Sequence, residues 1–457
     1  MIDISSIRQD EKNNRIMLLS TVFFIVAIMS LKTFMSSAIL EFILLIISLG
    51  TLIFYYVKNK ESISIYKFEI MWMIFYTYFI LNILIQAQFM KVHLFDLFIS
   101  TFILSMFLLY KVTNVRYILV AFKIILMVSI FYGLSAIFQY MFTDVYSQYI
   151  LHRFNDNQIK EILRLLGRGN YTGFTSQTAY LAGFLVYGIG ILFILYRKID
   201  HKIYRLLFIV AFLLLMYSLF LSGKRAHLLF MFISLLVVYL FSTEPKKFFN
   251  RFIKVIIGLG SFLIVMMVTL KNYTPKSNGQ IGKVYLLAQK SFEGLLSGKD
   301  VSNGRMELYQ HALVLLNNSP ILGIGWRGFY QSSLGVINSN KFSHPHNIYI
   351  QLLTELGVVG FLLFIVPVIY IFIKTIGLLM NLSDHEWKSA LQFSLYLQSF
   401  FLLYGMTGNV LTDHIFLLMY VFGITIVLSY AKYIHMNPVI RINIFNKFNN
   451  KYYTFKP

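Results

Sequence analysis

Residues 304–360 read GRMELYQHALVLLNNSPILGIGWRGFYQSSLGVINSNKFSHPHNIYIQLLTELGVVG. About nine long apolar runs precede this stretch and two or three follow it, so it is a polar segment in an otherwise apolar chain. It contains an arginine that opens a helix, a glycine-rich turn, and a His-Pro-His-Asn sequence before a long apolar helix. A simple connector needs none of these features. We therefore expect the chemistry of the protein to be located here.

The composition around this segment is that of a membrane protein. Hydrophobic residues make up 58% of the 457 positions and charged residues only 13%, whereas a soluble domain has about 25% charged residues. A helix needs about 20 apolar residues to cross the hydrocarbon core. We predict an all-α fold, a single polytopic membrane domain over residues 1–457 with about twelve spans. The predicted spans lie near residues 16–31, 38–57, 68–88, 92–110, 117–142, 177–196, 206–221, 226–242, 254–270, 347–373, 389–409 and 411–431.

The distribution of basic residues predicts the orientation of these spans. Cytoplasmic loops of membrane proteins collect Lys and Arg, and the inner segments are the basic ones when both termini lie in the cytoplasm. The first apolar run is followed by Lys32 and a second span, without a small-residue cleavage site. It is therefore interpreted as a retained helix and not as a signal peptide.

Three outer segments are basic against this rule: loop 143–176, turn 222–225 and loop 271–345. The last is the predicted large extracytoplasmic loop, in which residues 283–296 and 305–317 are expected to form amphipathic helices at the membrane interface. The net charge of the whole chain is +21. Basic residues outside the membrane indicate a bound anion. The alternative is an ordinary solvated surface.

Two arginines, Arg225 and Arg305, stand at the starts of outer helices. A guanidinium group can donate two hydrogen bonds to phosphate oxygens at once. The free N–H groups of a helix N-terminus also favour a negatively charged ligand. The pair therefore predicts a phosphate site, although an interfacial arginine that reaches lipid head groups gives the same pattern. Arg168, between Gly167 and Gly169, is a candidate for a third phosphate contact.

The turn 323–328 matches the pattern G-x-G-x-x-G, but the sequence around it excludes a dinucleotide site. No strand precedes the turn, and no alternating strand and helix pattern surrounds it. We expect the glycines to make a tight turn whose backbone N–H groups approach an anion.

The histidine pair His344 and His346 raises the question of a metal. Further ligands would have to come from residues such as His311, His414 or Asp413, and no spacing favours that set. We therefore expect no metal. The chain has no cysteine, which excludes disulfides and thiolate chemistry.

Three motifs resemble those of the O-antigen ligase and polymerase superfamily. His346-Asn347, nine residues and then Gly357-Val-Val-Gly360 is similar to its H-N-x9-G-x-x-G signature. Arg225-Ala-His-Leu-Leu229 resembles its R-x3-L motif, and the run from Gly304 to Gly325 resembles the sequence leading into its large periplasmic loop. The order of the motifs and their topology agree over about residues 220–365.

The resemblance implies a metal-independent, inverting glycosyltransferase of the multi-span, GT-C-like type that needs no cofactor. Its donor would be an oligosaccharide on undecaprenyl diphosphate, used outside the bacterial cytoplasmic (inner) membrane. Arg225 and Arg305 would hold the diphosphate. His346, a residue type with an ordinary pKa of about 6.5, would activate the acceptor hydroxyl.

The first hypothesis for the function is a polymerase that joins lipid-linked repeat units of a capsule, exopolysaccharide or O-antigen. A ligase, which moves a finished glycan to another acceptor, uses the same donor, so the sequence does not separate the two. A transporter or flippase is the third hypothesis, and the absence of repeated halves argues against it. The expected partners are the lipid-linked donor, a glycan or other acceptor, and membrane lipid; no nucleic acid is expected.

Overall fold

The structure of the protein is a computed structural model, and it describes part of the chain. The described residues are 50, 63–85, 115–196, 198–242, 246–258, 305–334, 336, 344–382, 384–411 and 413–442. The predicted spans at 16–31, 38–57 and 92–110, most of the predicted span at 254–270, and the predicted amphipathic helix at 283–296 lie outside them.

The described residues are mostly helical, with one two-stranded sheet. The helices are α1 (Lys67–Ile85), α2 (Val115–Met141), α3 (Thr143–Tyr149), α4 (Asp156–Gly167), α5 (Thr178–Tyr196), α6 (Lys202–Leu221), α7 (Arg225–Phe241), α8 (Arg305–Asn318), α9 (Gly328–Ser332), α10 (Ile348–Met380), α11 (His385–Tyr404) and α12 (His414–Tyr433). A 3-10 turn covers Leu151–Arg153, and residues 246–258 are also helical. The sheet pairs β1 (Ile63–Ile65) with β2 (Ile440–Ile442).

Among the described residues, six helices are long and apolar enough to cross a membrane: α1, α2, α5, α6, α10 and α12. Helix α7 is apolar but shorter, with 17 residues. Together with α11, these helices lie over eight of the predicted spans. The all-α membrane fold is therefore confirmed for the described part of the chain, and the total of twelve spans stays a prediction.

Helices α5 and α12 lie at the centre of the bundle, and α6 lies at its periphery. Of the most apolar part of each helix, 94% is buried in α12 and 78% in α5, but only 17% in α6. Small residues bring α5 close to its neighbours, because Gly190 lies against Tyr396 of α11 and Gly188 against Ser129 of α2. Membrane helices pack closely through such residues. The apolar outer face of α6 is the kind of surface that contacts lipid.

Segments that the charge pattern places on one side of the membrane meet at one end of the bundle. Strands β1 and β2 belong to predicted inner segments, and they pair antiparallel. At the same end, Lys198 donates to the carbonyl of His385 (2.6 Å), which joins two further inner segments. The predicted outer segments meet at the other end, where the N–H of Ile348 donates to the carbonyl of Gly405 (2.8 Å). The alternation of the described segments agrees with the sequence, whereas the end that faces the cytoplasm stays a prediction.

Helix α10 is interrupted at Gly357. An unbroken helix of its 33 residues would be about 50 Å long, well beyond the ~30 Å hydrocarbon core. Gly357 has φ 69° and ψ −175°, a conformation that glycine adopts readily and other residues rarely do. The interruption separates a first segment, residues 348–356, from a second segment, residues 358–380. The second segment alone, at about 35 Å, is long enough to cross a membrane.

The turn at 320–325 fills this interruption. Breaking a helix frees backbone N–H and C=O groups, which must find other partners inside a membrane protein. Tyr78 of α1 satisfies one of them by donating to the carbonyl of Leu356 (2.8 Å). The hydrogen bonds that join the turn to α10 are Ile324 N–H to Thr354 C=O (3.0 Å), Gly325 N–H to Glu355 C=O (2.9 Å), Val358 N–H to Pro320 C=O (2.9 Å) and Val359 N–H to Ile321 C=O (3.3 Å).

The expectation that the glycine amides of this turn approach an anion is wrong. The N–H of Gly323 donates to the carbonyl of Ser319 (3.0 Å), and the N–H of Gly325 donates to Glu355. Gly323 has φ 74°, and a Cβ atom there would overlap the main chain of Glu355. The glycines are needed because two backbones approach each other closely at this point.

Candidate functional site

The first feature of the candidate site is His346, which stands just before α10. Asn347 is the N-cap of that helix, because its side-chain oxygen accepts hydrogen bonds from the N–H groups of Tyr349 (2.9 Å) and Ile350 (3.2 Å). A short polar residue before an apolar helical run is a usual N-cap. His346 has a left-handed backbone, with φ 51°. Its Nδ1 atom lies 3.4 Å from the amide nitrogen of Asn409.

Two cations act on His346. Arg305 is the first residue of α8, and Lys224 is the residue before α7. Burial lowers the pKa of His346 from 6.5 to about 4, and the charges of Arg305 and Lys224 act in the same direction. The imidazole is therefore neutral at pH 7, with a lone pair that can accept a proton.

Lys224 is influenced by charged residues from three other elements. Its pKa is lowered by burial, an effect that Asp413 and Glu161 oppose and that Arg305 and Arg164 reinforce. These residues belong to different elements, since Asp413 precedes α12 and Glu161 and Arg164 lie on α4. Charged residues on or next to α4, α8 and α12 therefore lie within electrostatic reach of the lysine that precedes α7.

Loop 143–176 covers the turn that carries Lys224. The N–H of Tyr171 donates to the carbonyl of Leu221 (3.0 Å). Gly223 has φ 67° and lies against the side chain of Asn170, so that a Cβ atom has no room there. The basic loop and the basic turn thus form one surface, as two neighbouring outer segments should.

The balance of charge at this surface is positive. Arg164 and Glu161 pair with each other, with Arg164 Nε 2.8 Å from the Glu161 carboxylate. Their charges offset each other, which leaves Lys224 and Arg305 acting on His346 and Asp413 acting on Lys224. Two cations beside one carboxylate and a neutral imidazole favour an anionic ligand.

The structure brings two of the four predicted site residues together. Arg305 and His346 lie near each other, as the charge effect on His346 indicates. Arg225 is exposed at the first position of α7, and Arg168 is exposed at the C-cap of α4. Both lie at the edge of the surface around Lys224, and their role as phosphate contacts stays a prediction.

Three residues of the site, Lys224, Asn409 and Asp413, were not among the predicted phosphate contacts or the predicted base. Lys224 is one of the basic residues of turn 222–225, and only its neighbour Arg225 was assigned to the phosphate, although a turn between two helix ends lets either side chain face inward. Asn409 and Asp413 come from the turn between α11 and α12, far away in sequence. The signal that was available for Asp413 was its position before an apolar run, on the same predicted side as His346.

Among the described residues, none joins the histidine pair to complete a metal site. His344 stacks on Tyr330, with ring centroids 4.6 Å apart, and His311 lies 3.1 Å from the hydroxyl of Ser332. Within the residues that the structure describes, no three His, Asp or Glu side chains are grouped to hold a metal ion. The side chain of His414 is not among those described.

Comparison with known families adds to this geometry. Residues 209–365 match the family model described as O-antigen ligase. This region belongs to the O-antigen ligase and polymerase superfamily. The O-antigen ligase region runs from α6 to the second segment of α10, so Lys224, Arg305 and His346 all lie within it. No curated protein matches the sequence.

Members of this family are glycosyltransferase-like enzymes. The resemblance read from the three sequence motifs is therefore confirmed at the level of the family. The match covers the part of the chain that the motifs span and does not separate a polymerase from a ligase.

Proposed function

We propose that the protein is a polysaccharide polymerase that joins undecaprenyl-diphosphate-linked repeat units outside the cytoplasmic membrane. The observation that carries this proposal is that a partly buried, neutral histidine, His346, lies within the electrostatic reach of two cations, Arg305 and Lys224, at one end of the bundle. The match to the O-antigen ligase family supports a lipid-linked glycan as the substrate.

In this proposal, Arg305 and Lys224 bind the diphosphate of the donor. Charge-assisted hydrogen bonds from cations to phosphate oxygens are among the strongest that proteins make. Arg225 and Arg168, at the exposed edge of the same surface, make outer contacts with the diphosphate. Asp413 favours the charged form of Lys224 against the effect of burial. A site at the helix ends lets the lipid part of the donor remain in the membrane.

His346 then acts as the general base. The acceptor hydroxyl attacks the anomeric carbon of the donor sugar, and its proton passes to His346. The bond between that carbon and the diphosphate oxygen breaks, and its electron pair leaves with the polyprenyl diphosphate. Attack from the side opposite the leaving group inverts the anomeric configuration. Arg305 and Lys224 stabilise the charge on the leaving group, and no metal or cofactor is required for this step.

The base role depends on which ring nitrogen of His346 carries the proton in the neutral state. An amide presents either its oxygen to an Nδ1–H group or its nitrogen to a bare Nδ1. Only the first arrangement leaves the lone pair on Nε2 for the acceptor. The structure has the amide nitrogen of Asn409 near Nδ1; in this proposal the amide is turned over in the working enzyme, so that its oxygen accepts from Nδ1–H and fixes the tautomer.

The proposal includes a topology of about twelve spans in the bacterial inner membrane, with a GT-C-like arrangement. Both termini lie in the cytoplasm, and loops 143–176 and 271–345 lie outside. It is supported by the meeting of described parts of these two loops at one end of the bundle, around Lys224.

A ligase is the alternative function, because it uses the same donor and differs only in the acceptor. A transporter or flippase is less consistent with the geometry. Transporters usually bind their substrate near the middle of the membrane, at broken helices. Helix α10 is broken at Gly357, but the cations described here lie at the starts of other helices.

The test is deletion of the gene, followed by separation of the cell-surface glycans on a gel. Loss of a polymerase leaves single repeat units on their carrier or acceptor. Loss of a ligase leaves full-length glycan that is not attached. An unchanged glycan ladder contradicts both functions, and accumulation of lipid-linked units on the cytoplasmic face points to transport.

A further inference from the structure

A buried carboxylate without a part in the proposed reaction lies on the first segment of α10. Glu355 has 0% of its surface exposed. One of its oxygens accepts a hydrogen bond from the amide of Gln351, one turn earlier on the helix (3.0 Å). A buried carboxylate is costly unless several groups stabilise it. The contacts of Glu355 therefore identify what the residue holds in place.

Glu355 holds the segment that leads into α9. Burial disfavours the charged form of its carboxylate, whereas the backbone N–H groups of Arg327 and Phe329 and the charge of Arg327 favour it. Its backbone carbonyl accepts from the N–H of Gly325 (2.9 Å). Residue 355 is thus bonded to Gly325 through its main chain, and its side chain lies within the electrostatic reach of Arg327 and Phe329.

Helix α9 in turn supports α8, the helix that begins with Arg305. Phe329 is fully buried and packs with Leu308 and Ala312 of α8. At the other end of α9, Ser332 lies 3.1 Å from His311 of α8. The position of Arg305 therefore depends on the position of α9.

The same short helix also contacts the residues that lead to His346. Tyr330 of α9 stacks on His344, with ring centroids 4.6 Å apart. The charge of Arg327, just before α9, also acts on His344. Helix α9 therefore joins the two sides of the candidate site.

We propose that Glu355 is a positioning residue that fixes α9 on α10 and thereby sets the separation of Arg305 and His346. The inference rests on the proposed function in so far as these two residues are taken to act on one substrate. The geometric part concerns only the distance between α8 and α10, and can be measured without any substrate.

The experiment measures that distance with pairs of spin labels in the purified full-length protein. The chain has no cysteine, so labels are introduced at two exposed positions through Leu313→Cys on α8 and Leu362→Cys on α10. Glu355→Gln keeps the size of the side chain but removes its charge, and replaces an acceptor by an N–H group. We expect the distance distribution between the labels to shift or broaden. Glu355→Asp, which keeps the charge but is shorter, should give an intermediate distribution.

Glu69→Gln is the matched control. Glu69 is equally buried and accepts a hydrogen bond from the N–H of Tyr66 (2.7 Å), but it lies at the β1 end of α1, away from His346. The control should keep the wild-type distribution. A wild-type distribution in both Glu355 variants overturns the proposal, and so does equal broadening in Glu69→Gln, which would indicate general loosening.

Transfer assays with a lipid-linked repeat unit complete the test. Glu355→Gln should lower kcat about tenfold while the apparent KM for the donor changes less, and Glu355→Asp should restore part of the rate. A loss of activity that only follows the thermal midpoint, with unchanged label distances, overturns the positioning role. If the wild-type protein transfers no sugar but the distance still changes in Glu355→Gln, the proposed function fails and the structural link stands.

Discussion

His346 makes the proposed reaction testable through its dependence on pH. Burial, together with the two cations, lowers the pKa of His346 to about 4. A base acts in its deprotonated form, so kcat/KM rises with pH through that pKa and is flat above it. We expect a flat profile between pH 5 and 8. Lys224→Met removes one cation and should raise the pKa of His346, which moves the acid limb upward. An acid limb near pH 6.5 in the wild type would contradict the lowered pKa of His346.

Removal of the imidazole should nearly abolish transfer. General-base catalysis contributes roughly 10²–10⁴-fold, so His346→Ala should retain less than about a tenth of the turnover of the purified wild type. His344→Ala is the control, because that ring stacks on Tyr330 and is not the proposed base. Equal losses from both variants would instead indicate that the two histidines act as a pair.

The cations should differ in their effect on donor binding. Lys224→Ala and Arg305→Ala should each weaken the binding of the lipid-linked donor by about 1.5–3 kcal/mol, as loss of a charge-assisted contact does. Arg225→Ala should weaken it less, since Arg225 is exposed. Arg305→Lys should restore only part of the affinity, because an ammonium group cannot donate the paired hydrogen bonds of a guanidinium group. Binding titrations with purified protein measure all four, and a larger loss from Arg225 than from Lys224 contradicts this arrangement.

The sequence predicts part of this site, and the other residues are recognised only from the folded structure. Arg305 and His346 were found through motifs, because each motif combines a chemical group with a helix start. Lys224 belongs to the basic turn 222–225 that the sequence predicts near an anion, but a sequence pattern does not show which of two adjacent basic side chains faces inward. Asn409 gives no local signal, as its role comes only from its distance to His346.

At the scale of elements, the break in α10 is the feature that the hydropathy pattern of the sequence does not predict. Residues 348–380 are apolar almost throughout, so hydropathy predicts one span, and an isolated glycine within such a run is usually tolerated. The helices themselves were predictable, because their length and apolarity are properties of the local sequence. The turn at 320–325 docks onto the break through contacts between distant residues, which no local pattern contains.

The break leads to a stability prediction. Gly357→Ala forces a residue with a Cβ atom into a left-handed backbone, at a cost of about 1–3 kcal/mol, and the new atom overlaps the main chain of Ile321. We expect a lower thermal midpoint in detergent and poor accumulation of the protein. Gly377→Ala, in the same helix but with open space around it, is the control and should be neutral or slightly stabilising. Equal midpoints for the two variants would mean that the break is not required.

At the scale of the whole molecule, the described segments alternate between two ends as the charge pattern predicts. The β1–β2 pair and the contact of Lys198 with His385 define one end, and the surface around Lys224 defines the other. This agreement depends only on how many spans separate two segments, because each span moves the chain from one end of the bundle to the other. Counting spans does not show which end faces the cytoplasm. The side of the membrane on which the site opens is predicted only from the basic residues of the inner segments.

The direction can be tested with single cysteines, since the chain contains none of its own. Ser332→Cys is exposed at the end that holds the site, and His385→Cys is exposed at the opposite end. In intact cells, a membrane-impermeant thiol reagent that crosses the outer envelope should label the cysteine at position 332. The cysteine at position 385 should react only after the membrane is opened. The reverse result would place the cations and His346 on the cytoplasmic side. Donor units presented outside the membrane would then never reach them, and the proposed polymerase would fail together with its topology.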